Sequence, residues 1–404
     1  MMRSRFFADQ SGGVAPMFAL AIVPIVGLAG AAVDYSRASS ARTAMYAALD
    51  ATGLMLSRDA ATMNPDQIKA KATDIFNAEF NRTDVTGIQV NAVLSSPQAG
   101  TFTLNVTASG NLPATFTRIL GQNQFALNSG ADFKWGIKKL ELALALDNTG
   151  SMGNNGKLTQ LKTAAKNLLT TLQAAAKQPG DVKVSIIPFD TMVNVGTVYK
   201  DEFWIDYSVK NIQKNQWTGC VMDRDQSNDV SDTTPVSGNH STLFPAKQCG
   251  SLVSMMPLTD VLDTTGFTNL NSKIDSMVAA GNTNVTIGLE WGWHSLTTNL
   301  PLSQAAEPSP DRDKVVVLLT DGTNTQNRWS SSDSQIDPRT ALACTNAKNA
   351  NIKIYTVRVI DGDKTLLMNC ASKPTMYYEV NQASELNSVF SSIAQNLARL
   401  RIAK

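Results

Sequence analysis

Hydrophobic and polar positions change their spacing several times along the chain. From Gly12 to Val33 no residue is charged. These 22 positions exceed the roughly 20 that a helix needs to cross a bilayer. Pro16 and Pro24 fall inside the run, where membrane helices tolerate a kink. Beyond Val33 an amphipathic helical pattern continues through Tyr35 to Arg58. The length and continuity favour a retained anchor over a cleaved signal peptide, although Gly30-Ala31-Ala32 has the small-residue character of a cleavage site. Arg3 and Arg5 precede the run, and Asp34, Arg37 and Arg42 follow it. This weak bias favours a cytoplasmic stretch 1–11 and an outward C-terminal part.

The next residues, 66–81, read as a helix with Ile68, Ala72, Ile75 and Phe76 on one face. Gly87–Val93, Thr101–Thr107 and Phe125–Trp135 then alternate. Phe102, Leu104 and Val106 interleave with Thr and Asn, as in a half-buried antiparallel strand. Residues 34–138 are therefore expected to be a juxtamembrane helix and a small α+β spacer. No ionisable groups cluster there, so no site is expected in it.

From Leu140 the pattern changes again. Apolar, β-branched runs at Glu141–Leu146, Val182–Phe189, Val193–Tyr199, Lys314–Thr320, Ile352–Val359 and Met376–Val380 read as strands. Helical runs at 157–176, 269–279, 285–299, 338–350 and 383–400 separate them. This alternation predicts an α/β domain over 139–404, with a doubly wound, mostly parallel sheet. Residues 201–262 are rich in Asp, Asn, Ser, Thr and Pro and fit neither period. So long a loop is improbable unless it is functional or stapled; it reads as an insertion braced by Cys220–Cys249.

Composition narrows the classes. At 404 residues, two or three domains are expected. A net charge of +1 with mixed signs gives no footprint for nucleic acid. Cys220, Cys249, Cys344 and Cys370 show no CxxC spacing, which argues against a zinc ribbon. Their even number fits two disulfides in an oxidising compartment. A Cys344–Cys370 bridge would lock the helix before the strand Ile352–Val359 to the segment after it.

Leu142-Ala143-Leu144-Ala145-Leu146 has the length of a buried strand and ends in Asp147-Asn148-Thr149-Gly150-Ser151. The polar groups therefore fall at the carboxyl end of a strand, where open α/β sheets hold ligands. Asp147, Thr149 and Ser151 offer three hard oxygens, which suit Mg²⁺, Mn²⁺ or Ca²⁺. Gly281-Asn282-Thr283-Asn284 and Thr320-Asp321-Gly322 are two further polar turns beside helical or apolar runs. Enzymatic readings fare worse. Counting back from Gly156-Lys157, Ser151 and Leu158 stand where a phosphate loop needs Gly and Ser/Thr. Gly150-Ser151-Met152-Gly153 is one residue short of a nucleophile elbow. His294 lies within a helical run and reads as a packed or surface residue rather than a base. The chain is expected to be a non-enzyme.

Two resemblances follow from these residues. Ser11-Gly12-Gly13, then Val33-Asp34-Tyr35-Ser36-Arg37-Ala38, Ala41-Arg42-Thr43 and Ala48-Leu49-Asp50-Ala51 resemble the TadE/TadG-type N-terminus of tight-adherence (Flp) pilus assembly proteins, across about the first sixty residues. Pilin-like N-termini of that system carry a glutamate where Ala15-Pro16 stands here, which implies a fixed anchor rather than a processed filament subunit. Asp147-x-Thr149-x-Ser151, Thr283 and Asp321 resemble the metal-ion-dependent adhesion site of von Willebrand factor type A domains, across residues 139–404. That resemblance implies Mg²⁺ coordinated by the hydroxyls of Thr149, Ser151 and Thr283, with Asp147 and Asp321 direct or through water. A partner's acidic side chain would complete the shell. Thr149 replaces the family's usual serine, keeping the hydroxyl and adding a methyl. Trp329 and Asn284 are the candidate partner contacts. In such domains the last helix, here Ser384 to Ile402, can shift with metal occupancy. Together the resemblances imply a single-pass protein of a bacterial inner membrane with a periplasmic adhesion domain. Its partner would belong to the pilus or secretion machinery or the envelope. The alternative is a structural envelope protein whose metal only braces the loops.

Overall fold

The computed structural model describes residues 14–60, 63–97, 101–136 and 138–400. The expected cytoplasmic stretch 1–11, the first residues of the apolar run, and Arg401 and Ile402 lie outside them. The chain divides into two compact units, Met1–Gly136 and Ile137–Lys404.

In the first unit, α1 (Val14–Leu56) is one continuous helix that carries Pro24 internally. Its two halves differ. Met17, Phe18, Leu20, Val23 and Leu28 are exposed. Further on, Ala38, Ala41, Met45, Ala48 and Leu49 are buried at helical spacing. That second half and α2 (Pro65–Glu79) share a core with one face of an antiparallel sheet. Its strands are β1 (Thr86–Ser95), β2 (Thr101–Pro113) and β3 (Gln124–Gly136), in that order. Asn64 begins α2 with a capping box: its side chain accepts from Gln67 N–H at 2.9 Å, and Asn64 N–H donates to Gln67 Oε1 at 3.0 Å. Leu104, Val106, Ala108 and Leu112 face the helices, as the alternation predicts.

The second unit is an α/β domain. It begins with β4 (Lys139–Asp147), α3 (Lys157–Ala175) and β5 (Val182–Phe189). Four short strands follow: β6 (Val193–Asn194), β7 (Ile205–Asp206), β8 (Cys220–Val221) and β9 (Phe244–Lys247). Then come β10 (Met256–Asp260), α4 (Thr264–Asp275), α5 (Val285–His294) and β11 (Arg312–Thr320). The chain ends with α6 (Asp333–Asn349), β12 (Lys353–Val359), α7 (Lys364–Cys370), β13 (Tyr377–Val380) and α8 (Leu386–Leu400). The sheet order is β13-β12-β11-β4-β5-β6-β8-β9-β7, with β10 also on β5. From β13 to β5 all neighbours are parallel.

The two faces of β4 explain its alternating Leu and Ala. Leu142, Leu144 and Leu146 share a core with α3, α4 and α8. Ala143 and Ala145 face α5 and α6. Alanine suits that side because α5 approaches closely: a Cβ at Gly292 would sit 3.2 Å from Val316 and 3.7 Å from Ala143, and one at Gly288 2.5 Å from Phe189.

Three expectations need correction. The strand expected over Val193–Tyr199 stops at Asn194, because Asn194 Oδ1 accepts Gly196 N–H (3.0 Å) and Gly196 takes a φ of 94°. The stretch 201–262, read as fitting neither the strand nor the helix period, holds four short strands. It contributes β7, β8 and β9, and its last part is β10, antiparallel to β5 on the main sheet. Finally, α6 starts at Asp333 and carries Pro338 internally, although proline alone favours a start there.

Both cysteine pairs are bonded, Cys220–Cys249 and Cys344–Cys370. The second joins α6 to α7, helix to helix. The first closes a loop with a sequence separation of 29. Opening it with Cys220→Ser and Cys249→Ser is expected to cost about 3 kcal/mol through chain entropy. A thermal scan at neutral pH reads this loss; an unchanged midpoint would mean that the β8–β9 pairing alone fixes the insertion.

Candidate metal centre

The strand after β4 in sequence, β5, lies on one side of it, and β11 lies on the other. The direction of winding therefore reverses at β4, and the carboxyl ends of β4 and β11 border the crevice this creates. Leu146 pairs with Leu319, so Asp147 and Thr320 leave the sheet side by side. The loop between α4 and α5 closes over them. Ala280 N–H donates to Asn148 O (2.9 Å), and Gly150 N–H donates to Gly281 O (3.0 Å). On the far side, Thr325 N–H donates to Thr283 O (2.9 Å), and Thr283 N–H donates to Thr325 Oγ1 (2.8 Å). The three polar turns are thus fastened to one another by main-chain bonds.

Their side chains converge. Asp147 Oδ1 accepts from Thr149 N–H (2.8 Å) and Oδ2 from the Thr320 hydroxyl (2.6 Å). Ser151 Oγ donates to Asp321 Oδ1 (2.6 Å) and lies 3.1 Å from Thr149 Oγ1. A Cβ at Gly322 would stand 3.3 Å from Thr283 Oγ1 and 3.8 Å from Ser151 Oγ. The hydroxyls of two loops therefore meet above the glycine of the third. The structure brings together Asp147, Thr149, Ser151, Thr283 and Asp321, which lie as far as 174 positions apart in the chain (321 less 147).

The electrostatics leave the centre short of positive charge. Burial, helped by the charge of Asp321, pushes the Asp147 carboxyl up to about 6 against the hydrogen bonds of Thr149 and Thr320. Asp190, which follows β5, is also pushed up to about 6, chiefly by burial and also by Asp147. The cation that the described residues place here pairs with Asp321. Lys157 Nζ lies 2.5 Å from Asp321 Oδ2, yet off the direction of a hydrogen bond, which leaves that buried oxygen without one. The donor set is hydroxyl and carboxylate oxygen throughout. Among the described residues no cluster of three or more His, Cys, Asp or Glu side chains could hold a metal, so softer, nitrogen- or sulfur-seeking ions have no comparable place. The residues fit a small hard cation.

Not every candidate belongs here. Asn284 is fully buried and cannot be a partner contact. Its Nδ2 donates to both oxygens of Asp223 (2.9 and 3.0 Å), and its N–H donates to Asp190 O (3.1 Å). It fastens the insertion to the loop that carries Thr283. Trp329 is 42% exposed, on the loop after β11, with the Arg328 guanidinium 5.2 Å from its ring centre.

Sequence reasoning missed Lys157, Asp190 and a buried group under the insertion. Arg224 lies over the Phe244 ring at 4.7 Å. It donates to the carbonyls of Thr233 and Ser231, and its Nη2 is 3.4 Å from His294 Nε2. His294 is buried, and burial together with the charge of Arg224 holds its pKa well below the usual range. Glu290, one helical turn before it, has neither carboxylate oxygen hydrogen-bonded; burial raises it well above the usual carboxylate range. A Glu four residues before a His, at Glu290 and His294, was the one available signal of this group.

The Flp pilus-assembly TadE/G-like family model matches residues 12–55. The von Willebrand factor type A domain model matches residues 254–392; this includes Thr283 and Asp321 but starts after the first loop. No curated protein matches the chain. Among solved structures, the chain is similar to the pilus adhesin SpaC from Lactobacillus rhamnosus GG, at 15% identity and a TM-score of 0.43, over 77% of this chain and 34% of that one. It is also similar to the vWF domain of the type V pili tip protein Mfa5 from Porphyromonas gingivalis, at 10% identity and a TM-score of 0.39, over 65% of this chain and 96% of that one. A third is proximal thread matrix protein 1 from the mussel byssus with a zinc-occupied MIDAS motif, at 14% identity and a TM-score of 0.37, over 65% of this chain and 48% of that one. The chain thus spans about a third of the length of SpaC. Likeness at these levels carries nothing about ligands or partners over to this chain.

Proposed function

In a chain that joins a TadE/G-like N-terminal segment to a von Willebrand factor type A domain, we propose a membrane-anchored, non-catalytic adhesion or assembly protein. It binds a protein partner through a Mg²⁺-dependent site and serves tight-adherence pilus biogenesis. The convergence of the Thr149, Ser151 and Thr283 hydroxyls beside Asp147 and Asp321 carries this reading. These five side chains would hold the ion, and Mg²⁺ would supply a positive centre that keeps a position open to an outside oxygen. Asp147 has both oxygens committed to Thr149 and Thr320, so its part is to set the first loop and supply negative charge. Lys157 neutralises part of that charge, so a bound ion is not fully cancelled by Asp147 and Asp321 and can attract a partner's carboxylate.

The site is better suited to adhesion than to hydrolysis. The two histidines are engaged elsewhere, His294 beside Arg224 and His240 with Asp206 at 2.8 Å, so no hydroxyl of the centre has an imidazole base. Bracing alone is the weaker alternative, because main-chain bonds already join the three loops. α1 is the expected single-pass anchor in a bacterial inner membrane. A periplasmic place for the second unit agrees with its two disulfides. A photo-crosslinking residue at the half-exposed Trp329 of the full chain in living cells is the test. Adducts to a second protein are expected in Mg²⁺ and should disappear with EDTA; adducts indifferent to EDTA would refute the ion's role.

A further inference from the structure

The connection between β2 and β3 contains a single helical turn, Thr117–Leu120. Its apolar side chains point outward: Ile119 is 88% exposed, Leu120 69%, and the preceding Phe116 45%. Three such residues within five positions are a surface patch that an isolated domain has reason to avoid. The turn is also held firmly to α1. The buried Asp34 carboxylate accepts from the N–H groups of Thr115 (3.2 Å), Phe116 (2.8 Å) and Thr117 (2.8 Å), and from the Thr117 hydroxyl (2.9 Å). One helical turn earlier on α1, Gly30 makes room for Phe116: a Cβ there would fall 2.5 Å from the Phe116 Cβ.

We propose that Phe116, Ile119 and Leu120 form a second membrane contact, an apolar tip that enters the headgroup region of the lipid surface beside the point where α1 emerges. The inference rests on the reading of α1 as a membrane anchor. The register supports it. Side chains of α1 from Met17 to Val33 are largely apolar and uncovered, and burial against the sheet begins in earnest at Ala38. Asp34 and Gly30 span that boundary, about 6 Å apart along the axis at 1.5 Å per residue. Phe116 therefore stands level with the last uncovered turn, where Phe and Leu side chains can bury at the boundary of headgroups and acyl chains. Ile119 and Leu120 continue the apolar surface sideways. Arg118, exposed on the same turn, can reach headgroup phosphates while its stem stays with the apolar side chains. With α1 it gives the first unit two points of attachment, so its sheet cannot swing freely on a single helix.

The test uses the full chain, disulfides intact, in vesicles of phosphatidylcholine and phosphatidylglycerol. Ile25→Cys, Ile119→Cys and Val198→Cys are each labelled with bimane; all three positions are exposed in the structure, so none disturbs a core. Nitroxide-bearing lipid is expected to quench the labels at Ile25 and Ile119, and to leave the one at Val198 bright. Quenching at Ile25 but not at Ile119 would overturn the second contact and leave the anchor standing. No quenching at either would overturn the anchor reading, and this inference with it. A label at Ile119 shielded from aqueous iodide yet unquenched by lipid would mean that a protein covers the tip instead, which also overturns it.

Discussion

Asp147→Ala is expected to abolish divalent-dependent partner capture while the second unit stays folded. Folding makes this carboxylate costlier to ionise, because it is buried next to Asp321. With a folded-state value of about 6 against an ordinary 3.8, the stability it contributes is present in full below pH 3.8. That stability is lost as pH rises through about 6. At neutral pH without a divalent ion the charge is thus a burden on the order of 3 kcal/mol. Removing the side chain gives up the bonds to Thr149 and Thr320 but also removes that burden, so the ion-free variant is expected to melt near the wild type. Its affinity for Mg²⁺ should fall by roughly 10- to 100-fold, as when groups that orient a metal's ligands are lost. Calorimetric titration measures the affinity, and the Mg²⁺-induced rise in melting temperature reports the same binding through linkage. An equal rise in wild type and variant would sink the metal assignment. Asp147→Asn, which keeps the shape, separates lost charge from lost packing.

Arg224→Met is expected to cost about 3 kcal/mol or more of stability. Methionine keeps much of the stem's volume but removes the guanidinium. The carbonyls of Thr233 and Ser231 would lose their donors, and Glu290 would lose the favourable charge of Arg224. Urea unfolding reads the loss; a wild-type midpoint would show that the insertion is held without this group. Glu290→Gln should act in the opposite direction. Burial raises the Glu290 carboxyl well above its ordinary 4.5, so the stability it provides is complete below that pH and is lost as pH rises through the folded value. The glutamine variant is therefore expected to unfold at higher urea than wild type at pH 7.5, with the gap closing as pH falls towards 4.5.

Much of this architecture was legible in the chain. Parallel strands buried on both faces read as unbroken apolar runs, and β4, β5, β11 and β12 were recognisable for that reason. β10 was not. Pro257 breaks its pattern, and proline is tolerated there because the pairing with β5 is irregular between Met256 and Thr259. Lys157 stands at the first position of α3, where a lysine normally reads as a solvated charge. Its burial depends on Asp321, which lies in the turn after another strand, β11. Asn284 looked like an exposed loop residue because its partner, Asp223, lies 61 positions away in the insertion.

The sequence by itself determined the apolar helix, the α/β alternation, and the local order of oxygen donors in each loop. Those features follow from side-chain periodicity and short spacing, which a linear chain records directly. Only the tertiary structure decided which loops meet, that Lys157 rather than solvent answers Asp321, and that Asn284 and Arg224 work inward. Each of these depends on which group is opposite in space. The low dielectric of a buried place makes that neighbour decisive.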